Sequence, residues 1–362
     1  MDSRPGEAVE QAPVGEGGTT GIPAVDPAER ATLVAERIEA VRGRAAAQGA
    51  SGVLVELRRD AAWLTVGGEL HVAQAGDGIV TPILVTARDA IVIAPNNEVD
   101  RAREEELAGL PFDIEVVPWH EPAAAAALVA RIAGDGVLRG ADVERVTGDL
   151  RPRLHPIEHA RMRWLAAASA RALDGAAAMM APGRTETEID AALEAPLLAA
   201  GIRAPVVLCA VDDRMRFRHA LPRSRRLAAR CMLVLVAERW GLHVAGTRMV
   251  SPGAAGRDPL PADLAAARVL AAMTAASRPG ATLGEVLAVA AEAYEREGLP
   301  GEWRTHHQGG TIAYAPRERV ATPGDPTVLE AGMAVAWNPS LPGGKVEATL
   351  LVRDGDPELL LA

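Results

Sequence analysis

Arg304-Thr305-His306-His307-Gln308-Gly309-Gly310 sets two imidazoles directly ahead of two glycines. Glycine lets backbone approach a ligand closely, and imidazole is the side chain that changes charge near neutral pH. Neighbouring side chains on an extended segment point to opposite faces, so one of the pair, His307, is expected to face a pocket and His306 to face away. Two later stretches, Ala336-Trp337-Asn338-Pro339 and Lys345-Val346-Glu347-Ala348-Thr349, read as strand ends carrying polar groups. Asn338 is either an Asx turn or a neutral hydrogen-bonding group for a ligand. Glu347 is either an exposed edge residue or a carboxylate in the pocket of His307. Upstream, Met215-Arg216-Phe217-Arg218-His219-Ala220-Leu221-Pro222 puts His219 in a basic turn, where guanidinium charges hold it neutral, as a general base requires.

Composition excludes several classes. The chain has 362 residues, 49% of them hydrophobic, enough for one large core or two moderate ones. A net charge of -10 argues against a nucleic-acid partner. No apolar run approaches the ~20 residues of a membrane span. Residues 1–28, rich in Gly, Pro and Glu, lack the basic start and apolar centre of a signal peptide and read as a disordered arm. Cys209 and Cys231 lie among apolar, strand-like residues and read as buried free thiols in a reducing cytoplasm.

The chain divides near residue 150. Residues 29–150 alternate helix and strand and predict a small α/β domain: a helix over Arg30 to Gln48, and strands at 51–57, 62–66, 79–85, 90–94 and 114–117. A helix over 121–132 follows. Residues 151–362 predict an α+β layer in two similar halves. Each half has a helix stopped by Pro-Gly (182–183, 279–280) and a second started by a threonine, Thr185 or Thr282. Strands are expected at 206–210, 232–237, 333–337 and 349–352. Asp212-Asp213, followed by Arg214, Arg216 and Arg218, reads as a solvated turn with local ion pairs; Glu104-Glu105-Glu106 reads as a charged helix face, and Asp142-Val143-Glu144 has no partner motif. There is no GxGxxG, P-loop, CxxC or GxSxG motif.

The ordered series Ala61-Ala62-Trp63-Leu64-Thr65, Phe217-Arg218-His219-Ala220-Leu221-Pro222, Thr247-Arg248, His307-Gln308-Gly309-Gly310, Asn338-Pro339 and Glu347-Ala348-Thr349 resembles the pita-bread metallopeptidase family. That family includes creatinase, aminopeptidase P and methionine aminopeptidase. The resemblance spans residues 30 to 362 and implies a pita-bread C-terminal domain behind a smaller creatinase-type N-terminal domain. Its metallopeptidases use two Asp, one His and two Glu as ligands. The best matches to those positions here are Val234, Ala245, His307, Asn338 and Glu347, and a second family histidine falls at Tyr314. Two metal ions carry a charge of +4, which one His, one Asn and one Glu cannot offset.

What the resemblance still implies is an acid–base pocket. Creatinase cleaves a C–N bond without metal, and its proton-shuttling histidine matches His219. His219, His307 and Glu347 are therefore the expected catalytic groups, with Arg317 binding a substrate carboxylate. Tyr314, Asn338, His306 and Trp337 complete the expected lining. The expected function is that of a metal-independent enzyme acting on a small amino-acid-like or amide substrate. The alternatives are a catalytically silent protein binding a peptide or small ligand, and a residual Xaa-Pro-type metallopeptidase. No cofactor is expected, and His307, Glu347 and His306 leave room for a weak single divalent ion at most. A cytoplasmic homodimer is expected, with Arg58, Arg59 and Trp63 near the partner's site.

Overall fold

A computed structural model describes residues 21–253 and 260–362; most of the expected arm, residues 1–20, lies outside the described residues. The first helix, Pro27–Ala47, begins earlier than its periodicity indicates because Asp26 accepts from the backbone N–H groups of Ala28 and Glu29 and Pro27 supplies the fixed φ of a first turn.

Five strands form the first sheet: β1 (Gly52–Leu57), β2 (Gly78–Thr86), β3 (Ala90–Pro95), β4 (Asp113–Val117) and β5 (Val137–Leu138), in the order β4-β3-β2-β1-β5. It is mixed: β1, β2 and β3 run antiparallel in series, while β4 and β5 lie parallel to β3 and β1. The helix Ala124–Ala133 covers one face through Leu128 and Val129, which pack on Leu54, Leu84 and Ile93. The expected strand over 62–66 is a helix, Arg58–Leu64. A short, uniformly apolar run has no period to distinguish the two, and here every residue from Asp60 to Leu64 is buried. Trp63, 2% exposed, belongs to the main core and stacks under the Arg37 guanidinium; it cannot reach a partner subunit's site.

The rest of the chain shows its two halves plainly. In the first, helices Pro156–Ala178 and Glu186–Ala199 pack on β6 (Arg203–Val211), β7 (Cys231–Arg239) and β8 (Leu242–Val250), an antiparallel three-stranded sheet. In the second, helices Pro261–Ala276 and Leu283–Arg296 pack over a five-stranded sheet. Its strands are β9 (Gly309–Thr311), β10 (Arg319–Val320), β11 (Ala334–Trp337), β14 (Ala348–Leu351) and β15 (Glu358–Leu361), ordered β10-β9-β11-β14-β15. A small hairpin of β12 (Ser340–Leu341) and β13 (Gly344–Lys345) separates β11 from β14. Thr185 and Thr282 each close a capping box with a glutamate three residues on, Glu188 and Glu285. Thr349 joins the two sheets: its hydroxyl donates to the carbonyl of Ala245 at 2.9 Å and accepts from that residue's N–H at 2.8 Å.

Cys209 and Cys231 are buried and unbonded, their sulfurs 3.6 Å apart across β6 and β7. Asp212 is not freely solvated: it accepts from the backbone N–H groups of Ala228, Ala229 and Arg230 at 2.8 to 2.9 Å and fixes the loop that follows β6. Asp213 pairs with Arg216, one of the arginines that follow it directly, and also with the more distant Arg225. Glu106 is likewise more than surface charge; it accepts from the N–H of Glu69 and pairs with Arg101.

Candidate active site

Three imidazoles meet at one place. His219 lies in the loop between β6 and β7, and His306 and His307 lie between a 3-10 turn (Glu302–Thr305) and β9. Arg218 brings the two loops together: its guanidinium pairs with Glu302 and donates to Thr305 Oγ1 at 2.8 Å and Ser340 Oγ at 2.7 Å. On the other side Gln308 fixes the bend, donating to the carbonyls of His306 (2.7 Å) and Trp303 (3.1 Å) and accepting from Tyr294. The glycines serve the sheet rather than a ligand. At Gly309, with φ +112, an added Cβ would collide with the Ala336 carbonyl of β11, and at Gly310 with the Arg319 carbonyl of β10.

His306 Nε2 stands 3.1 Å from His219 Nε2, and the His306 and His307 rings stack with centroids 4.4 Å apart. The expectation that His306 and His307 face opposite ways therefore fails. The pair precedes β9, so no pleat imposes alternation. His306 is buried, and its Nδ1 has no hydrogen-bond partner; His219 and His307 are exposed. Burial first, and then the adjacent His307, bring the pKa of His306 down to about 3. Burial and the Arg317 charge bring His307 down to about 4. His219 is lowered by desolvation and then by Lys345. All three are neutral near pH 7.

Glu347, 2% exposed, follows the small hairpin and is committed within the chain. Its Oε1 accepts from Arg317 at 2.7 Å, and its Oε2 lies 3.5 Å from Thr247 Oγ1. Arg317 is thus not free to clamp a substrate carboxylate; its second terminal nitrogen donates to the Pro316 carbonyl, leaving a buried Nε without a partner. Asn338 is 3% exposed, and its Oδ1 lacks a partner, so a buried acceptor remains available to a ligand. Two expected lining residues turn elsewhere. The Tyr314 hydroxyl bonds Glu158 in the core beneath Arg37. Trp337 packs under the second helix pair with its indole N–H on Ser277. Tyr314 lies in a buried run directly after β9, and Trp337 in the central strand β11, so their rings fill the layers on either side of the sheets. Arg58 and Arg59 pair within the chain, with Glu238 and Glu144.

One group was not singled out from the sequence. Lys345, on β13, is 5% exposed, and its charge bears on His219, His306 and His307 alike. The signal was available: Lys345 is the single lysine of a chain with 37 arginines.

More than half of this chain, residues 160–354, matches the model of metallopeptidase family M24. The chain belongs to that family. Among solved structures it is similar to dipeptidase PepE from Mycobacterium ulcerans, at 20% identity and TM-score 0.72, over 92% of this chain and 96% of that one. The prolidase from Pyrococcus horikoshii matches with TM-score 0.75 at 18% identity, over 90% of this chain and 98% of that one. The N-terminal domain of FACT complex subunit SPT16 from chickpea matches with TM-score 0.66 at 12% identity, over 94% of this chain and 97% of that one. Comparison with curated proteins found no match. The fold is therefore that of the M24 family, with both parts of the chain covered, and such a fold does not by itself name an activity.

The M24 metal pair does not fit the residues present. Val234 and Ala245, 2% and 0% exposed, offer no donor atom, and Asn338 offers a neutral one. Glu347 is neutralised by Arg317, with the Lys345 ammonium near it. Two divalent ions would enter a site whose fixed charge is already positive. The one group of three or more ligand side chains among the described residues is His219, His306 and His307, whose donor atoms lie within 4.8 Å of one another.

Proposed function

We propose that this M24 protein is a metal-independent enzyme acting at a C–N bond of a small amino-acid-like or amide substrate. The observation carrying this reading is the convergence of three imidazoles, His219, His306 and His307, whose donor atoms lie within 4.8 Å of one another. His219, exposed and 3.1 Å from His306, is the proton shuttle: it can take a proton at Nε2 and share it with its neighbour. His307 donates to the substrate, and the buried Asn338 Oδ1 accepts from it. Glu347 acts with Arg317 as a fixed dipole that orients the substrate and stabilises developing charge. Arg218 and Gln308 tie down the loops that carry the three histidines; the active form on this reading is a homodimer without bound nucleic acid or membrane.

The test is a screen of amidines, N-methyl amino acids and Xaa-Pro dipeptides, with and without chelator. Turnover is expected to persist in chelator, and His219→Ala is expected to lower kcat by on the order of 100-fold or more while thermal unfolding stays unchanged. Two equivalents of Mn, Co or Zn per purified chain, with activity lost on chelation, would overturn the reading in favour of a metallopeptidase. Tight ligand binding with no turnover would favour a silent binding protein.

A further inference from the structure

The two parts of the chain enclose a cavity of about 800 Å³ whose lining includes none of His219, His306, His307, Asn338 or Glu347. Volumes of this order hold small organic molecules. Its walls come from the end of β1, the loop after the helix Arg58–Leu64, the start of β6 and the turn between β7 and β8. Hydrogen bonds fix these walls. Arg101 donates to the backbone carbonyls of Glu69 at 2.8 Å and His71 at 3.3 Å, which holds the loop. The N–H of Gly241, in the turn, donates to Glu238 at 2.8 Å. Leu57, Leu70, Ile79 and Pro316 give the cavity an apolar side.

Charge runs through the wall in a row of alternating sign. Glu69, Arg203, Glu238 and Arg58 follow one another with N–O separations of 3.1, 3.6 and 3.4 Å. The row crosses the junction, since Arg58 and Glu69 belong to the first part of the chain and Arg203 and Glu238 to the second. Its cations are underfilled. Glu238, 5% exposed, is shared between both guanidinium groups and the Gly241 N–H. The other side-chain contact of Arg58, to the Gln74 carbonyl, is also 3.4 Å long, and Arg203 Nη1 is buried without an acceptor. Guanidinium forks held this loosely have donor capacity left for a carboxylate. The reverse holds at Glu194, half-buried on the helix Glu186–Ala199, which has no cation within ion-pairing distance among the described residues. His71, 8% exposed, lines the same cavity, and its ring bonds no described residue. A polar side chain buried this far is normally met by a partner.

The lining carries three arginines and four carboxylates. A bare anion meets a net negative wall there, a bare cation meets guanidinium groups, and a neutral apolar molecule leaves both sets unmatched. One charge of each sign on an apolar body matches all of it. We infer that this cavity is a binding site for a free α-amino acid with a large apolar side chain. Its carboxylate lies against Arg58 and Arg203, its ammonium faces Glu194, and its side chain covers Leu57, Leu70 and Ile79. His71 supplies one further hydrogen bond. The site is separate from the histidine cluster, does not depend on how that cluster is used, and makes or breaks no bond.

The test is isothermal titration calorimetry on the full chain, comparing L-phenylalanine with phenylalaninamide, 3-phenylpropionate and sodium phosphate. The expected result is one equivalent of L-phenylalanine per chain. Each of the other three lacks a charge or the apolar body and is expected to bind about tenfold more weakly or worse. Arg58→Gln and Glu194→Gln are each expected to weaken L-phenylalanine by on the order of tenfold, whereas His219→Ala binds it as wild type does. Circular dichroism establishes that the variants are folded, and Glu194→Gln decides if Arg58→Gln is not. No binding of L-phenylalanine by the folded chain would sink the inference. Equal binding of 3-phenylpropionate or phosphate would do so too, by marking a plain anion site. Binding lost in His219→Ala and kept in Glu194→Gln would put the amino acid among the histidines, overturning this site and leaving the proposed enzyme reading intact. Failure of that reading in the substrate screen leaves the calorimetry unaffected.

Discussion

His306 has the most unusual titration of the cluster, because it is buried, stacked on His307 and in contact with His219. Burial and the neighbouring His307 lower its pKa to about 3, against about 6.5 for an unfolded histidine. Between these values the unfolded chain binds a proton that the folded chain refuses. The neutral ring's contribution is therefore complete above about pH 6.5 and is lost as pH falls towards 3, at up to ~1.4 kcal/mol per pH unit. His306→Asn removes the group that refuses the proton. Urea unfolding of wild type and His306→Asn between pH 7 and 4.5 is expected to converge with acidification, the wild type losing more stability. Parallel curves would mean that His306 titrates normally. Lys345 belongs to the same scale: each imidazole could be noticed as a histidine near glycine or arginine, whereas Lys345 stands out only when the whole chain is counted.

Helix starts show how strongly local chemistry fixes an element. Thr282 accepts from the N–H of Glu285 at 3.2 Å while Glu285 accepts from the N–H of Thr282 at 2.7 Å, closing a capping box at the base of Leu283–Arg296. Thr282→Ala is expected to destabilise the protein by ~1 kcal/mol, measured as a lower urea midpoint at unchanged m-value, with Glu285→Gln milder because an amide oxygen still accepts. These caps, the Pro-Gly stops and most strands were legible in the sequence because each is decided within a few residues. Other elements were not. The run 62–66 reads as a strand although the helix Arg58–Leu64 covers most of it, because the run is buried on all sides and so has no period. β8 was passed over because Gly246, Thr247 and Arg248 interrupt its apolar character, and its pairing with β7, His243 opposite Glu238 through Val250 opposite Cys231, is long-range. The matching of Val234 and Ala245 to carboxylate positions rests on chain order, whereas the facing of Tyr314 and Trp337 depends on which layer each ring fills and leaves no local mark in the sequence.

Across the whole molecule the two parts of the chain are joined by buried charge as well as by a shared core. Arg151, fully buried, donates to Asp60 at 2.6 Å, Thr147 at 2.7 Å, Glu144 at 2.9 Å and Glu318 at 2.9 Å. Asp60 belongs to the helix beside the first sheet, and Glu318 accepts from the N–H groups of Tyr314 and Ala315 in the segment that leads from β9 towards Arg317. Arg37 and Glu158 form a second crossing pair at 2.7 Å, with Tyr314 on the same carboxylate. A main core containing Val34, Trp63, Leu165 and Leu235 together runs through both parts. Such a junction couples their unfolding, so calorimetry is expected to give a single transition. Arg151→Met strands Asp60 and Glu318 without their cation and is expected to cost ~3 to 5 kcal/mol. It should also disturb the Tyr314–Arg317 segment, so the damage reaches the Arg317–Glu347 pair, and hence the pocket, before the fold is lost. If the variant instead unfolds in one transition at the wild-type temperature, the network does not join the two parts.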